Sequence, residues 1–378
     1  MTPTPNARLS GLTFAIAAML AFPVGLPAYA DVSPSQVAAL DMGDKPLKSP
    51  SASDYLERAD VQAFLAEVHK TYKIPMAWLE DEVAVARYSE TAERLMTPKA
   101  RDPIVRKDTP KDKKVPKRDF SQYAKPFLSA ERIARGQEFM ARNKAVFDEI
   151  DKTHGVPRHV ITAVIGVETM YGRNMGRYRV LDSLMTLSFD YTRRATFFKK
   201  ELATFLDFCW RQEISPVTVL GSFAGAIGYG QFMPSSVDRW GLDGDKDGKI
   251  DLIGNEADAI ASVANFLVAH GWTPGRGVLY TVTATEDIFE ATGSGGIEAH
   301  TTVGDLAKAG VKLYDHFPLP EDEPVLLVDL PQRNAKGHLY TKWYLGTRNF
   351  SAILRYNRSY FYAAAVTLLA DRIAKAPK

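Results

Sequence analysis

Apolar residues recur at helical spacing along most of this chain. Val61, Phe64, Leu65 and Val68 predict a helix with Asp60 as its N-cap, and a second helix follows Pro75, through Trp78 to about Leu95. Ser129 caps a long helix with Ile133, Met140, Phe147 and Ile150 on its apolar side, and Gly155 stops it. Pro157 opens the next helix, where a missing N–H does no harm, and the run continues through Val160, Ile161, Val164, Ile165 and Val167. Further helices are predicted over 193–212, with Phe197, Phe198, Leu202, Phe205 and Leu206 inward, and over 256–270. The period changes after Gly271. Residues 278–283 and 325–328 read as strands between Gly-rich and Pro-rich turns, and helix returns from about Tyr360 to Ile373. The fold class is therefore mainly α (α+β), with one small β-rich module and no internal repeat.

The first 30 residues do not fit this pattern. Arg8, an uncharged apolar run from Leu9 to Leu26 broken by Pro23 and Gly25, and Ala28-Tyr29-Ala30 before Asp31 read as a cleavable secretory signal. The run is short for a membrane span, and no cysteine near the cleavage site offers a lipid anchor. Residues 31–53 read as a flexible leader rich in Ser, Pro and Ala. Residues 97–118 hold nine basic residues against three aspartates and are interrupted by four prolines. They read as an extended surface loop, either a solvated connector, the reading favoured, or a basic lip beside an anionic polymer.

Composition narrows the classes. Of 378 residues, 46% are hydrophobic and 24% charged, which excludes a disordered chain and a polytopic membrane protein. Removing the signal leaves 348 residues, enough for two or three domains. The formal charge of +2 gives no bulk attraction to nucleic acid. The single cysteine, Cys209, excludes an intrachain disulfide, a CxxC zinc site and an iron–sulfur cluster.

Four segments carry candidate chemistry. Glu168 ends the apolar run from Ile161 and precedes Thr-Met-Tyr-Gly172. Desolvation there raises a carboxyl pKa and suits a proton donor, but a buried ion pair with Arg173, Arg193 or Arg194 fits the residues equally well. Gly221-Ser222 to Ser236 places four glycines in ten residues with Tyr229 and Gln231 among them. It lacks the G-K-[ST] of a phosphate loop and reads as a small-residue wall that lets backbone approach a polymer such as a sugar chain. Asp243, Asp245 and Asp247 alternate before Gly248, the start of a calcium loop. Position twelve is Gly254, so Glu256 or Asp258 closes the site if the loop is longer than usual, and an acidic turn without metal is the less favoured alternative. Arg355-Tyr356-Asn357 to Tyr362 suits sugar hydroxyls and N-acetyl groups, or core aromatics with a helix cap. Neither H-E-x-x-H nor G-x-S-x-G is present.

In this order, G-V-E-T-M-Y-G, the long glycine motif, the Asp-rich loop and R-Y-N-R-S-Y-F-Y-A closely resemble the lytic murein transglycosylase B family of bacterial cell-wall enzymes, over roughly residues 55–378. Leu181-Asp182-Ser-Leu, Arg193-Arg194-Ala and Ala269-His270-Gly271-Trp272 are also similar to that family. The resemblance implies a lysozyme-like catalytic core (156–274, completed by 346–378), an added α domain (54–155), a small β-rich domain (275–345) and an EF-hand-like calcium loop (243–258). It implies Glu168 as the single acid/base. Tyr123, Ser222, Tyr229, Gln231, Tyr356, Asn357 and Tyr362 would line or face the sugar cleft, and Arg193 and Arg194 would meet the stem peptide. Asp243, Asp245, Asp247, the carbonyl of Lys249, and Asp258 would hold a structural calcium, with no cofactor needed for the chemistry. The loop is one residue longer than in relatives, and Phe266 stands where they carry Tyr. The implied partners are peptidoglycan strands with their stem peptides, and proteins of cell-wall synthesis or hydrolysis. The protein is expected to be periplasmic and monomeric. A hydrolytic muramidase and a non-catalytic murein-binding scaffold are the alternatives.

Overall fold

The protein is described by a computed structural model covering residues 55–97, 119–292, 295–314 and 317–375. The signal, the leader and all but Thr97 of the basic stretch lie outside the described residues. The chain opens with helices α1 (Ala59–Tyr72), α2 (Met76–Ala84), α3 (Glu90–Met96), α4 (Phe120–Ala124), α5 (Ala130–Arg142), α6 (Lys144–Thr153) and α7 (Arg158–Thr169). A two-residue strand β1 (Tyr178–Arg179), helices α8 (Val180–Phe189) and α9 (Ala195–Gln212), and strand β2 (Leu220–Gly221) follow. Then come α10 (Pro234–Trp240), α11 (Glu256–Ala269), β3 (Leu279–Val282), α12 (Glu286–Ala291), β4 (Thr301–Thr302) and α13 (Val303–Lys308). The chain ends with β5 (Pro324–Arg333), β6 (Leu339–Gly346), α14 (Arg348–Tyr356) and α15 (Tyr360–Lys375). No helix among the described residues is long and apolar enough to cross a membrane.

Helix α7 is the axis of the molecule. Every residue from Val160 to Thr169 is buried, as expected of a helix apolar on all sides. It packs against α5, α11 and α15. Strands β3, β6, β5 and β4 form an antiparallel sheet in that order. Side chains alternate across it: Leu326, Val328 and Leu330 of β5 enter the main core. Val325 and Leu327 join Val282, Leu306, Trp343 and Leu345 in a second cluster on the other side.

Three sequence expectations need correction. The first helix starts at Ala59, and its N-cap is Arg58, which makes no side-chain cap. Asp60 sits inside the first turn, paired with Arg58 at 2.9 Å. The helix expected through Leu95 is two, α2 and α3, the second capped by the Ser89 hydroxyl accepting from the Ala92 N–H. The long helix from Ser129 is also two, parted at Asn143, whose side-chain amide bonds back to the Phe139 carbonyl at 3.1 Å and also to the Glu256 carboxylate. Apolar periodicity runs through such a joint undisturbed, so the pattern alone does not show it.

Candidate active site

Glu168 stands in the last turn of α7, and the chain reverses sharply after it. Met170, Tyr171 and Gly172 are left-handed in succession, with φ of 54°, 58° and 85°. Two non-glycine residues in that region are costly and persist only where the surroundings hold them. Here the Tyr171 phenol donates to the Arg132 carbonyl at 2.8 Å. Its ring fills the space over Gly166 and Gly136, where a Cβ would come within 2.6 Å of the phenol oxygen. The Arg132 guanidinium in turn donates to the Gly166 carbonyl, a cation at a helix C-terminus where the dipole favours it.

Glu168 is 2% exposed. The Tyr362 hydroxyl, wholly buried on α15, donates to Glu168 Oε1 at 2.6 Å. Burial, reinforced by the charge of Glu168, holds the Tyr362 phenol well above its ordinary pKa, so it stays a donor. The Tyr123 and Tyr356 phenols are raised by the same two causes, burial first. Tyr123 packs its ring between Phe127 and Phe361 at 5.4 and 5.5 Å. The carboxyl is thus enclosed by aromatic surface, the setting in which a carboxylic acid can serve as proton donor.

The glycine motif forms the facing wall, but its glycines serve chain against chain more than chain against ligand. Gly228 has φ +72°, and a Cβ there would lie 2.1 Å from the Leu252 carbonyl oxygen. At Gly172 a Cβ would strike the Tyr229 ring at 2.3 Å. The Ser222 hydroxyl accepts the Ala224 and Ala226 N–H groups at 3.2 and 3.0 Å, which shapes the turn. Gln231 donates its amide to the Met175 and Gly228 carbonyls, tying the wall to the loop after α7. The Tyr229 phenol donates to Glu256 at 3.2 Å. Tyr356 donates to the Gly230 carbonyl at 2.6 Å and packs on Phe266 at 4.7 Å, so both support the wall from behind. Phe266 itself stacks on His270 at 4.0 Å within the aromatic core. Asn357 is buried, and its side-chain Nδ2 has no hydrogen-bond partner among the described residues.

Of the arginines offered as ion-pair partners for Glu168, Arg173 lies 3.8 Å from Glu131. Arg193 is exposed, and Arg194 lies over the Phe197 ring at 4.3 Å. Other buried carboxylates have their own duties. Glu201 accepts the Ser235 N–H and hydroxyl at 2.8 and 2.7 Å, and Asp207 accepts from Arg211 at 2.8 Å.

The acidic loop brings one carboxylate oxygen each of Asp243, Asp245 and Asp258 within 4.8 Å of one another. Asp258 is fully buried and takes the Gly244 and Asp251 N–H groups, both at 2.7 Å. Its carboxyl is pushed up by burial and by the charges of Asp245 and Asp243, against the pull of those two N–H groups. A cluster of like charges with a buried member fits a hard cation. Asp247 lies outside the cluster, exposed, its carboxylate accepting the Lys249 N–H at 2.8 Å. Glu256 does not close the loop. Although partial burial opposes it, the Arg142 fork and Asn143 hold its carboxyl below the usual range, with Arg142 contacts at 2.7 and 2.9 Å.

Arg132 and Tyr171 were not among the residues expected at the site, and Glu256, expected only as a candidate to close the acidic loop, supports Tyr229 instead. The two glycines on separate helices, Gly136 and Gly166, were the available sign that a large ring sits between them.

The transglycosylase SLT domain model matches residues 57–371. The chain is 35% identical over 324 residues to membrane-bound lytic murein transglycosylase B of Escherichia coli K12, covering 85% of each. It is similar to the crystal structure of soluble lytic transglycosylase SltB1 from Pseudomonas aeruginosa, with TM-score 0.74 and 33% identity over 84% of this chain and 98% of that one. A 2.1 Å structure of the Escherichia coli lytic transglycosylase Slt35 in complex with calcium matches with TM-score 0.70 and 32% identity, over 85% and 95%. On the extent of these matches, the chain belongs to the transglycosylase SLT domain family.

Proposed function

We propose that the protein is a peptidoglycan lytic transglycosylase, cleaving the β-1,4 bond between N-acetylmuramic acid and N-acetylglucosamine and leaving a 1,6-anhydromuramoyl end. The observation that carries this reading is the enclosed Glu168, hydrogen-bonded by Tyr362. Ordinary glycosidases place two carboxylates across the bond, whereas Glu201, Asp207 and Asp258 are each engaged elsewhere. One carboxyl group suffices if the substrate supplies the rest. Glu168 protonates the glycosidic oxygen, and the muramic N-acetyl group stabilises the oxocarbenium-like centre. Glu168, now a carboxylate, takes the proton of the C6 hydroxyl as that oxygen closes the anhydro ring. No water is consumed and no cofactor enters.

The Asn357 amide supplies a buried N–H donor for the acetyl oxygen. Ser222, whose oxygen already accepts two backbone N–H groups, keeps its own O–H as a second donor. Exposed Arg193 and neighbouring Arg194 suit the carboxylates of stem peptides. The small sheet module and the EF-hand-like loop complete the proposed architecture. Asp243, Asp245 and Asp258 would hold a calcium ion, which supplies charge neutralisation and stiffens the loop. The signal expected from residues 1–30 supports a periplasmic location for the enzyme. Glu168→Gln tests the assignment. Turnover should vanish while sacculus binding remains, and retained turnover would sink it.

A further inference from the structure

Thr169 follows Glu168 directly and is fully buried. A helical threonine usually bonds back to its own helix, and the Ile165 carbonyl is 3.2 Å away. The Tyr229 carbonyl, in the glycine motif, is closer at 2.8 Å. The same hydroxyl accepts the Gly172 N–H at 3.0 Å. It therefore ties three things together: the end of α7, the left-handed turn after it, and the glycine wall. Tyr229 is anchored from its other side. Its N–H donates to the Leu252 carbonyl at 2.9 Å, and its phenol reaches Glu256. The wall at Tyr229 is thus held by the acidic loop and α11, and Thr169 hangs the acid-bearing turn on that support.

We propose that Thr169 is a positioning residue for the reaction: its hydroxyl sets the register between the Glu168 carboxyl and the sugar-binding wall. The proposal rests on Glu168 being the acid. A single group that must first protonate one oxygen and then deprotonate another tolerates little displacement, and an error of roughly 1 Å can cost on the order of a hundredfold in rate.

Thr169→Val keeps the branched shape and removes the hydroxyl, and Thr169→Ser keeps the hydroxyl. With a soluble murein oligosaccharide, kcat of the Val variant should fall about 10- to 100-fold with KM within about twofold, while the Ser variant stays within about threefold of the parent. Near-UV circular dichroism confirms folding at the assay temperature, and Thr169→Ala is read in the same way if the Val variant does not fold. A parent-like kcat in the hydroxyl-free variant, a loss that falls on KM, or a Ser variant as impaired as the Val variant would overturn the proposal. Glu168→Gln, assayed alongside, separates the failures. If it retains turnover, the reading of the acid falls and this proposal with it.

Discussion

Tyr362 and Glu168, 194 residues apart in sequence, meet through a 2.6 Å hydrogen bond in which the phenol donates to the carboxyl. The contact joins α15 to the end of α7 and fixes one carboxyl oxygen, leaving the group aimed rather than free to rotate. Tyr362→Phe removes the donor and keeps the ring. A hydrogen bond to a charged group contributes about 1.5–3 kcal/mol, so kcat should fall roughly 10- to 100-fold with KM little changed. A kcat equal to the parent's would show that the bond does not orient the acid.

The Glu168–Tyr362 pair also shows where sequence reading stops. The apolar run ending at Glu168 pointed to an enclosed carboxyl, and the period change after Gly271 located strands at β3 and β5. Which face of the terminal helix meets Glu168 is decided by tertiary packing, and no local spacing encodes it. Tyr356 and Tyr362 were expected to face the cleft, but both phenols are buried and committed, to Gly230 and Glu168. The glycine motif was legible as a close approach, but the approaching partner is largely the protein's own backbone. The joints at Asn143 and after Ala84 escaped because apolar periodicity is preserved across them.

Gly228→Ala tests the close approach of the wall to the acidic loop. The substitution strains a residue at φ +72° and drives a Cβ to 2.1 Å from the Leu252 carbonyl oxygen. Stability should drop by about 2 kcal/mol or more, lowering Tm by at least about 4 °C. An unchanged Tm would mean that the two segments do not bear on each other.

The acidic loop predicts ion-linked stability. A ligand that binds only the folded state raises Tm with its concentration. Calcium should therefore raise Tm, a chelator should reverse the rise, and Asp245→Asn should abolish it. A Tm indifferent to calcium and chelator would count against a structural ion held by Asp243, Asp245 and Asp258.

Asp182 offers a pH test away from the site. Burial raises its carboxyl pKa above 3.8, opposed by the Arg87 N–H and by the charges of Arg179 and Arg87. A raised folded-state value means that its stabilising contribution is complete below 3.8 and is lost as pH rises through the folded value. Asp182→Asn can keep the 2.9 Å bond from Arg87 N–H and removes the ionisation. The Tm of the variant minus that of the parent should become more positive between about pH 3.5 and 7. A difference that is flat or falls over that range would contradict the burial argument.

The central claim is that one enclosed carboxyl performs both proton transfers without water. Mass spectrometry of the products released from purified sacculi tests it most directly. The parent enzyme should yield muropeptides ending in 1,6-anhydromuramic acid, one water lighter than hydrolysed ones, and Glu168→Gln should yield none. Products ending in reducing muramic acid, or anhydro products from Glu168→Gln, would contradict it.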